Sequence, residues 1–285
     1  MTCILARQGC CDLKRHFLKL RLIICVLPVL LLAIQPVKAA EVRVAVAANF
    51  LSTLQQLAAT YHRQQDDRLM IISGSSGGLY AQIRHGAPYD LFLSADQSRP
   101  ALLEEQGLTL PGSRSTYARG LLALWSKDAS LVDSEGRVLH SPQFQYLSLP
   151  NPVNAPYGLA AQELLSKKGI WQGLDDQKRL IRAGNVRQTL FQVISGAAPL
   201  GFIALSQARH PMIAGKGSLW IPDPSLYPPI IQQGVVLARS EQPRAALRFM
   251  RWLQSQQARA LIAASGYQVG PGDLLLAGTT LNRAW

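Results

Sequence analysis

The sequence predicts an α/β protein assembled from parallel β-α-β units, and three observations lead there. Short runs rich in Val, Ile and Leu alternate with amphipathic stretches of helical period. Small or amide residues stand where a run gives way to a helix. Hydrophobic residues make up 48% of the chain and charged residues 16%, which excludes a disordered or acidic tail-like protein and leaves enough apolar material for a core.

Val42, Val44 and Val46 alternate through 41–46 and predict a strand. Asn49 follows as a candidate N-cap. Phe50, Leu54, Leu57, Ala58 and Tyr61 then form one apolar helix face. A second strand is expected at 69–72, a turn at 73–78 and a helix at 79–85 with Leu79 and Ile83 aligned. A third strand falls at 91–94, followed by a helix at 97–106 that Gly107 ends. The rhythm continues with strands at 121–125 and 146–149, helices at 157–168 and 186–196, and strands at 200–204 and 219–221. Residues 230–238 read as a long strand, and 243–257 as a helix with Ala246, Leu247, Met250 and Leu253 in register. The Pro-rich stretch 222–229 reads as a surface crossing, and no internal repeat is present.

The first forty residues have a different character. Arg7, Lys14, Arg15, Lys19 and Arg21 stand against the single acid Asp12, and an apolar run of 13 residues, 22–34, follows. That run is short for a membrane span, which needs about 20 residues. With Val37-Lys38-Ala39 as a small-residue cleavage site, it predicts a secretory signal peptide over 1–39. Removing it takes away six bases and one acid, so the net charge falls from +12 to +7. It also removes Cys3, Cys10, Cys11 and Cys25, all the cysteines of the sequence. The expected exported protein therefore has no disulfide, thiolate metal site or thiol nucleophile.

Gly74-Ser75-Ser76-Gly77-Gly78 is the sharpest local signal. Small residues between a strand and a helix expose backbone N–H groups at a helix N-terminus, a ready anion site. The same residues match G-x-S-x-G, with Ser76 as a hydrolase nucleophile. That reading is disfavoured because about 36 residues would precede Ser76 after cleavage, and because His140 and His210 have no triad context. A plain glycine turn is the third reading. Ala47-Ala48-Asn49, Asn151 to Gly158, and Gly184-Asn185-Val186-Arg187 offer further strand-to-helix junctions, each weak alone and stronger together. The histidines show no metal-ligand spacing, and no nucleotide-binding fingerprint occurs. Asp175 and Asp176 are expected in a turn. Arg244, Arg248, Arg251 and Arg259 are expected on a solvated helix face, with no nucleic-acid partner for an exported protein.

Several segments together resemble the periplasmic molybdate-binding proteins of ABC transporters over about 41–268. They are Ala45 to Phe50, Ser73 to Leu79, Gly86-Ala-Pro-Tyr-Asp90-Leu-Phe-Leu-Ser-Ala-Asp96, Asn185-Val186-Arg187 and Ala198-Pro-Leu-Gly201-Phe. The resemblance implies a type II periplasmic binding protein. Two α/β lobes, each a mixed or parallel sheet flanked by helices, would be joined by a hinge of crossing strands. The first lobe would be 40–118 with 231–285, and the second 119–230. The oxyanion would lie between the lobes, bound by Asn49, Ser76, Tyr157 and the backbone of Val186, with no direct metal ligand. Two positions depart from the family pattern: Asn49 stands where many members have Ser, and Ala204 where many have Tyr. Tyr157 is expected to supply the hydroxyl missing at 204. The implied function is capture of molybdate or tungstate and delivery to an inner-membrane ABC permease. The protein would be a periplasmic monomer with no enzymatic activity and no cofactor. The rivals are a receptor for sulfate or another oxyanion, and a secreted serine hydrolase using Ser76.

Overall fold

The structure, a computed structural model, describes residues 39–270; the expected signal peptide lies outside them but for Ala39. In chain order the first elements are β1 (Glu41–Ala47), α1 (Leu51–Tyr61), β2 (Arg68–Gly74), α2 (Ser76–Arg84), β3 (Leu91–Ser94), α3 (Ser98–Glu105) and β4 (Ser115–Gly120). The next are β5 (Leu122–Ser126), β6 (Leu147–Pro150), α4 (Pro156–Lys167), α5 (Trp171–Asp176), β7 (Leu180–Ala183), α6 (Val186–Ile194), β8 (Leu200–Ala204), α7 (Leu205–Ala208) and β9 (Ser218–Trp220). The chain then returns through β10 (Ile230–Val236) to α8 (Pro243–Leu253) and α9 (Gln256–Ala264).

The strands form two five-stranded sheets, ordered β2-β1-β3-β10-β4 and β7-β6-β8-β5-β9. In the first, β1 runs parallel to β2, from Glu41 opposite Arg68 to Ala47 opposite Gly74, and parallel to β3. In the second, β6 runs parallel to β7 and β8. β10 and β5 close the sheets in antiparallel fashion, which makes both mixed. β1 is buried on both faces: Val42, Val44 and Val46 are wholly covered, and so is Ala45 between them. Helices on the two sides of a parallel sheet demand that. Each sheet packs its own apolar cluster. Phe50, Leu54, Leu57 and Tyr61 of the first half meet Phe249 and Leu253 of α8, and Leu147, Leu149, Leu164 and Phe202 sit in the second.

β4 and β10 carry the chain between the halves, and they pair side by side, with Gly120 opposite Ile230. Among the described residues no helix is long and apolar enough to cross a membrane.

Several expectations are corrected. β7 was not expected as a strand. The expected helix 243–257 is two helices, because Ser255 caps α9 by accepting from Ala258 N–H at 3.2 Å. Helix α2 starts at Ser76 rather than Leu79. Asn49 does not cap α1, whose N-cap is Phe50 with no side-chain bond. Asp175 and Asp176 end α5 instead of lying in a turn, and Asp175 pairs with Arg182 at 2.7 Å. Arg244, Arg248, Arg251 and Arg259 are exposed, as expected, but Arg248 also has a partner. It binds the buried Asp67 carboxylate at 2.8 Å, and Tyr61 donates to the same group at 3.1 Å, which ties α8 to α1.

Candidate functional site

Parallel strands deliver their following helices to one edge of a sheet, so helix N-termini collect there, next to the point where strand order reverses. In the first sheet β1 and β2 deliver α1 and α2; in the second β6 and β7 deliver α4 and α6. The four junctions line one cleft: Ala47 to Asn49, Gly74 to Ser76, Ala155 to Tyr157, and Asn185 with Val186, plus Ala95. The free space between them is only ≈ 10 Å³, about that of a single water molecule, so the junctions lie close together. A roomier hollow of ≈ 420 Å³ lies elsewhere, against β4, β10 and α9, where no helix N-termini converge.

At each junction local capping consumes some donors and spares others. In α2 the Ser75 hydroxyl accepts from Gly78 N–H at 3.2 Å, leaving Ser76. In α6 the Asn185 side chain accepts from Arg187 and Gln188 N–H at 3.0 and 3.1 Å, leaving Val186. In α4 Pro156 has no N–H, and Gly158 and Leu159 donate to Ala155 C=O, leaving Tyr157. Gly158 lets α4 sit tightly on β6, since a Cβ there would lie 2.1 Å from Pro150 C=O. Phe50 N–H donates to Ala47 C=O, leaving Asn49. No protein acceptor among the described residues takes the N–H of Asn49, Ser76, Tyr157 or Val186.

Two hydroxyls add to these. Ser76 Oγ, 1% exposed, accepts from Ala95 N–H at 3.0 Å and keeps its own proton unclaimed. Tyr157 Oη accepts from Gln232 Nε2 at 3.3 Å and likewise keeps its proton. Burial, then the neighbouring Tyr267, Tyr227 and Tyr117, holds Tyr157 well above the ordinary tyrosine range, so it stays protonated and able to donate. The lining contains no carboxylate and no cation. Such a cleft is a set of uncharged donors with four positive helix ends behind them.

Asn49 reaches the cleft differently from the expectation of an amide donor. Its Nδ2 donates to Gln232 Oε1 at 3.0 Å and to Tyr267 Oη at 3.1 Å, so both amide hydrogens are spent. Only its backbone N–H remains. Gln232, with no exposed surface, also accepts from Tyr117 Oη at 3.0 Å, and Tyr267 Oη donates to Asn49 C=O at 2.7 Å. This buried network of Asn49, Tyr117, Tyr157, Gln232 and Tyr267 joins β10 and β4 to the cleft. The sequence reading missed Gln232, Tyr117 and Tyr267, although a Gln-Gln pair inside an apolar strand was a visible signal. Ala204, fully buried at the end of β8, places no side chain in the cleft lining.

For the serine-hydrolase reading, Ser76 Oγ bonds the Ala95 backbone and no histidine lines its cleft. Among the described residues no group of three or more His, Cys, Asp or Glu could hold a metal ion.

Two lobes, a hinge of paired strands and an anion-ready cleft between helix N-termini define a solute-binding receptor fold. The family profile of bacterial extracellular solute-binding proteins matches residues 42–268, and the chain belongs to that family. It is 39% identical over 230 residues to the molybdate-binding protein ModA of Azotobacter vinelandii, covering 81% of this chain and 90% of that one. It is 37% identical over 234 residues to the protein of the same name from Rhodobacter capsulatus, covering 81% and 90%. Among solved structures, the periplasmic molybdate-binding protein of Azotobacter vinelandii superposes with a TM-score of 0.79 at 43% identity, covering 81% of this chain and all of that one. The sulfate-binding protein SubI of Mycobacterium tuberculosis superposes with a TM-score of 0.70 at 14% identity over 84% and 90% of the two chains, a likeness of fold alone.

Proposed function

We propose that this protein is a periplasmic receptor that captures molybdate or tungstate between its lobes and delivers it to an inner-membrane ABC permease. The observation that carries the reading is the uncharged, donor-lined cleft at four helix N-termini, in a chain whose relatives are called molybdate-binding proteins. The donors are the N–H groups of Asn49, Ser76, Tyr157 and Val186 and the hydroxyls of Ser76 and Tyr157. They hold the anion through its oxygens, with no bond to the metal.

Helix dipoles and neutral donors can stabilise a dianion without a countercharge. Phosphate carries a proton at neutral pH, and the cleft has no carboxylate to accept it. Sulfate has the right charge, so cavity size must reject it: donors set for a larger tetrahedron leave sulfate with long, weak hydrogen bonds. In this reading 1–39 is a cleaved signal peptide and the lobes are 40–118 with 231–285 and 119–230. The receptor is a monomer that transports its ligand unchanged.

Calorimetric titration of the exported protein with molybdate, tungstate, sulfate and phosphate tests the proposal. Tight binding of the first two with weak or no binding of the others is expected. Sulfate binding as tight as molybdate binding overturns it in favour of a sulfate receptor, and ester turnover abolished by Ser76→Ala would restore the hydrolase.

A further inference from the structure

Helix α2 spends its N-terminal donors in two directions. Ser76 turns its N–H and hydroxyl to the cleft, while the next residue, Gly77, donates its N–H across to the second half, to Asn154 C=O at 2.9 Å. Beside it Arg99 Nη2 donates to Val153 C=O at 3.0 Å. Both acceptors sit on the turn 151–155, which leads into α4 and so positions the Tyr157 N–H. That turn is rigid: Asn151 C=O accepts from Asn154 and Ala155 N–H at 3.1 and 2.9 Å, and Asn151 Oδ1 accepts from Val153 N–H at 3.1 Å.

Arg99 is equally well held. Its Nη1 pairs with Asp96 Oδ2, and its own N–H donates to Asp96 Oδ1 at 3.0 Å. The Arg99 and Asp96 side chains are 19% and 15% exposed, so the pair is largely shielded from water. The fit around Gly77 is close. A Cβ there would meet Asn154 Cα at 3.0 Å, and Arg99 Nη2 and Asn154 C=O at 3.1 Å each. A glycine at this position lets the halves touch.

We infer that Arg99, braced by Asp96, and Gly77 form an interlobe latch that holds the cleft shut and sets how fast the captured anion leaves. Neither Asp96 nor Arg99 is among the residues that line the cleft. They act by fixing the turn 151–155, so Arg99 is a positioning residue rather than a ligand. The latch sits on the turn of α2 that also binds the anion, which makes closure and ligand contact one event. The inference rests on the receptor reading above, and its test separates the two.

Hydrogen exchange of the Gly77 amide and stopped-flow release of molybdate should be measured for the wild type, Arg99→Met, Gly77→Ala and the control Arg114→Met. Arg114 pairs with Glu104 within the same lobe, so the control removes an arginine without touching the latch. A hydrogen bond from a cation is worth roughly a factor of ten or more. Arg99→Met is therefore expected to release molybdate about tenfold faster, with an association rate matching the control, and to speed exchange at Gly77 similarly. Gly77→Ala should also speed release, by wedging the halves apart. Release and exchange equal to the control overturn the latch. If the wild type binds none of molybdate, tungstate and sulfate, the receptor reading fails. Ligand-free exchange at Gly77 then decides alone: faster exchange in Arg99→Met supports the latch, and equal exchange overturns it.

Discussion

Tyr157→Phe removes one hydroxyl from the proposed site and leaves the ring and the backbone N–H in place. Tyr157 is 2% exposed, and its Oη sits over Gly120 of β4, where a Cβ would come within 2.1 Å of it. Two separable costs follow. If the free phenol proton meets the dianion, its loss removes a charge-assisted hydrogen bond worth about 1.5–3 kcal/mol. The dissociation constant for molybdate should then rise by about ten- to a hundredfold. The second cost falls on folding, because Gln232 Nε2 loses an acceptor at 3.3 Å. That long bond is worth about 1 kcal/mol, which lowers the thermal midpoint by about 2–4 °C in a domain of this size. Calorimetric titration reads the first cost and scanning calorimetry without ligand reads the second. An unchanged affinity beside a lowered midpoint would refute the reasoning. It would show that the hydroxyl serves the hinge and that only the backbone of Tyr157 meets the anion.

Two more outcomes follow from buried groups. Gln232→Leu should strand one Asn49 amide hydrogen while Tyr117 keeps its bond to Ser94 C=O at 3.0 Å. The expected loss is about 2–3 kcal/mol in urea melts, and an unchanged melt would mean the network relaxes without cost. Tyr61 is pushed up from 10.0 to about 12 by burial first and by Asp67 second. A raised folded-state value favours the neutral form, so its contribution to stability is complete below pH 10 and fades as pH rises towards 12. Tyr61→Phe should flatten that alkaline decline in melts between about pH 9 and 11.5, and a decline as steep as that of the wild type would exclude Tyr61 as its source.

The fold was legible where periodicity is local. The valines of β1, the apolar face of α1 and the alternation of strand with helix are short-range patterns, and each expected element of that kind exists. β7 escaped because a strand of four residues with Arg182 inside it carries little apolar signal, and β4, with Arg119 inside it, was expected only as a crossing strand that the resemblance implied. The break between α8 and α9 was readable in Ser255, whose hydroxyl favours an N-cap over a helix interior. The cleft was legible as four junctions because glycine, serine and asparagine before a helix advertise free donors. What each donor does was not. Asn49 lost its amide to partners 183 and 218 residues away, a competition that no local window contains. The Arg99 contact likewise spans 54 residues and depends on a backbone carbonyl, which has no sequence signature.

The composition of the cleft lining bears on unloading. Its one ionisable side chain, Tyr157, is held in its protonated form by burial, and the lining has no carboxylate, histidine or amine. If the anion binds here as proposed, its uptake neither gains nor loses a proton at the lining, and its affinity should be the same in a mildly acidic compartment as in a neutral one. On that reading no group of the lining would let mild acidity meter discharge. Unloading would then be mechanical: whatever receives the anion would pull the two sheets apart.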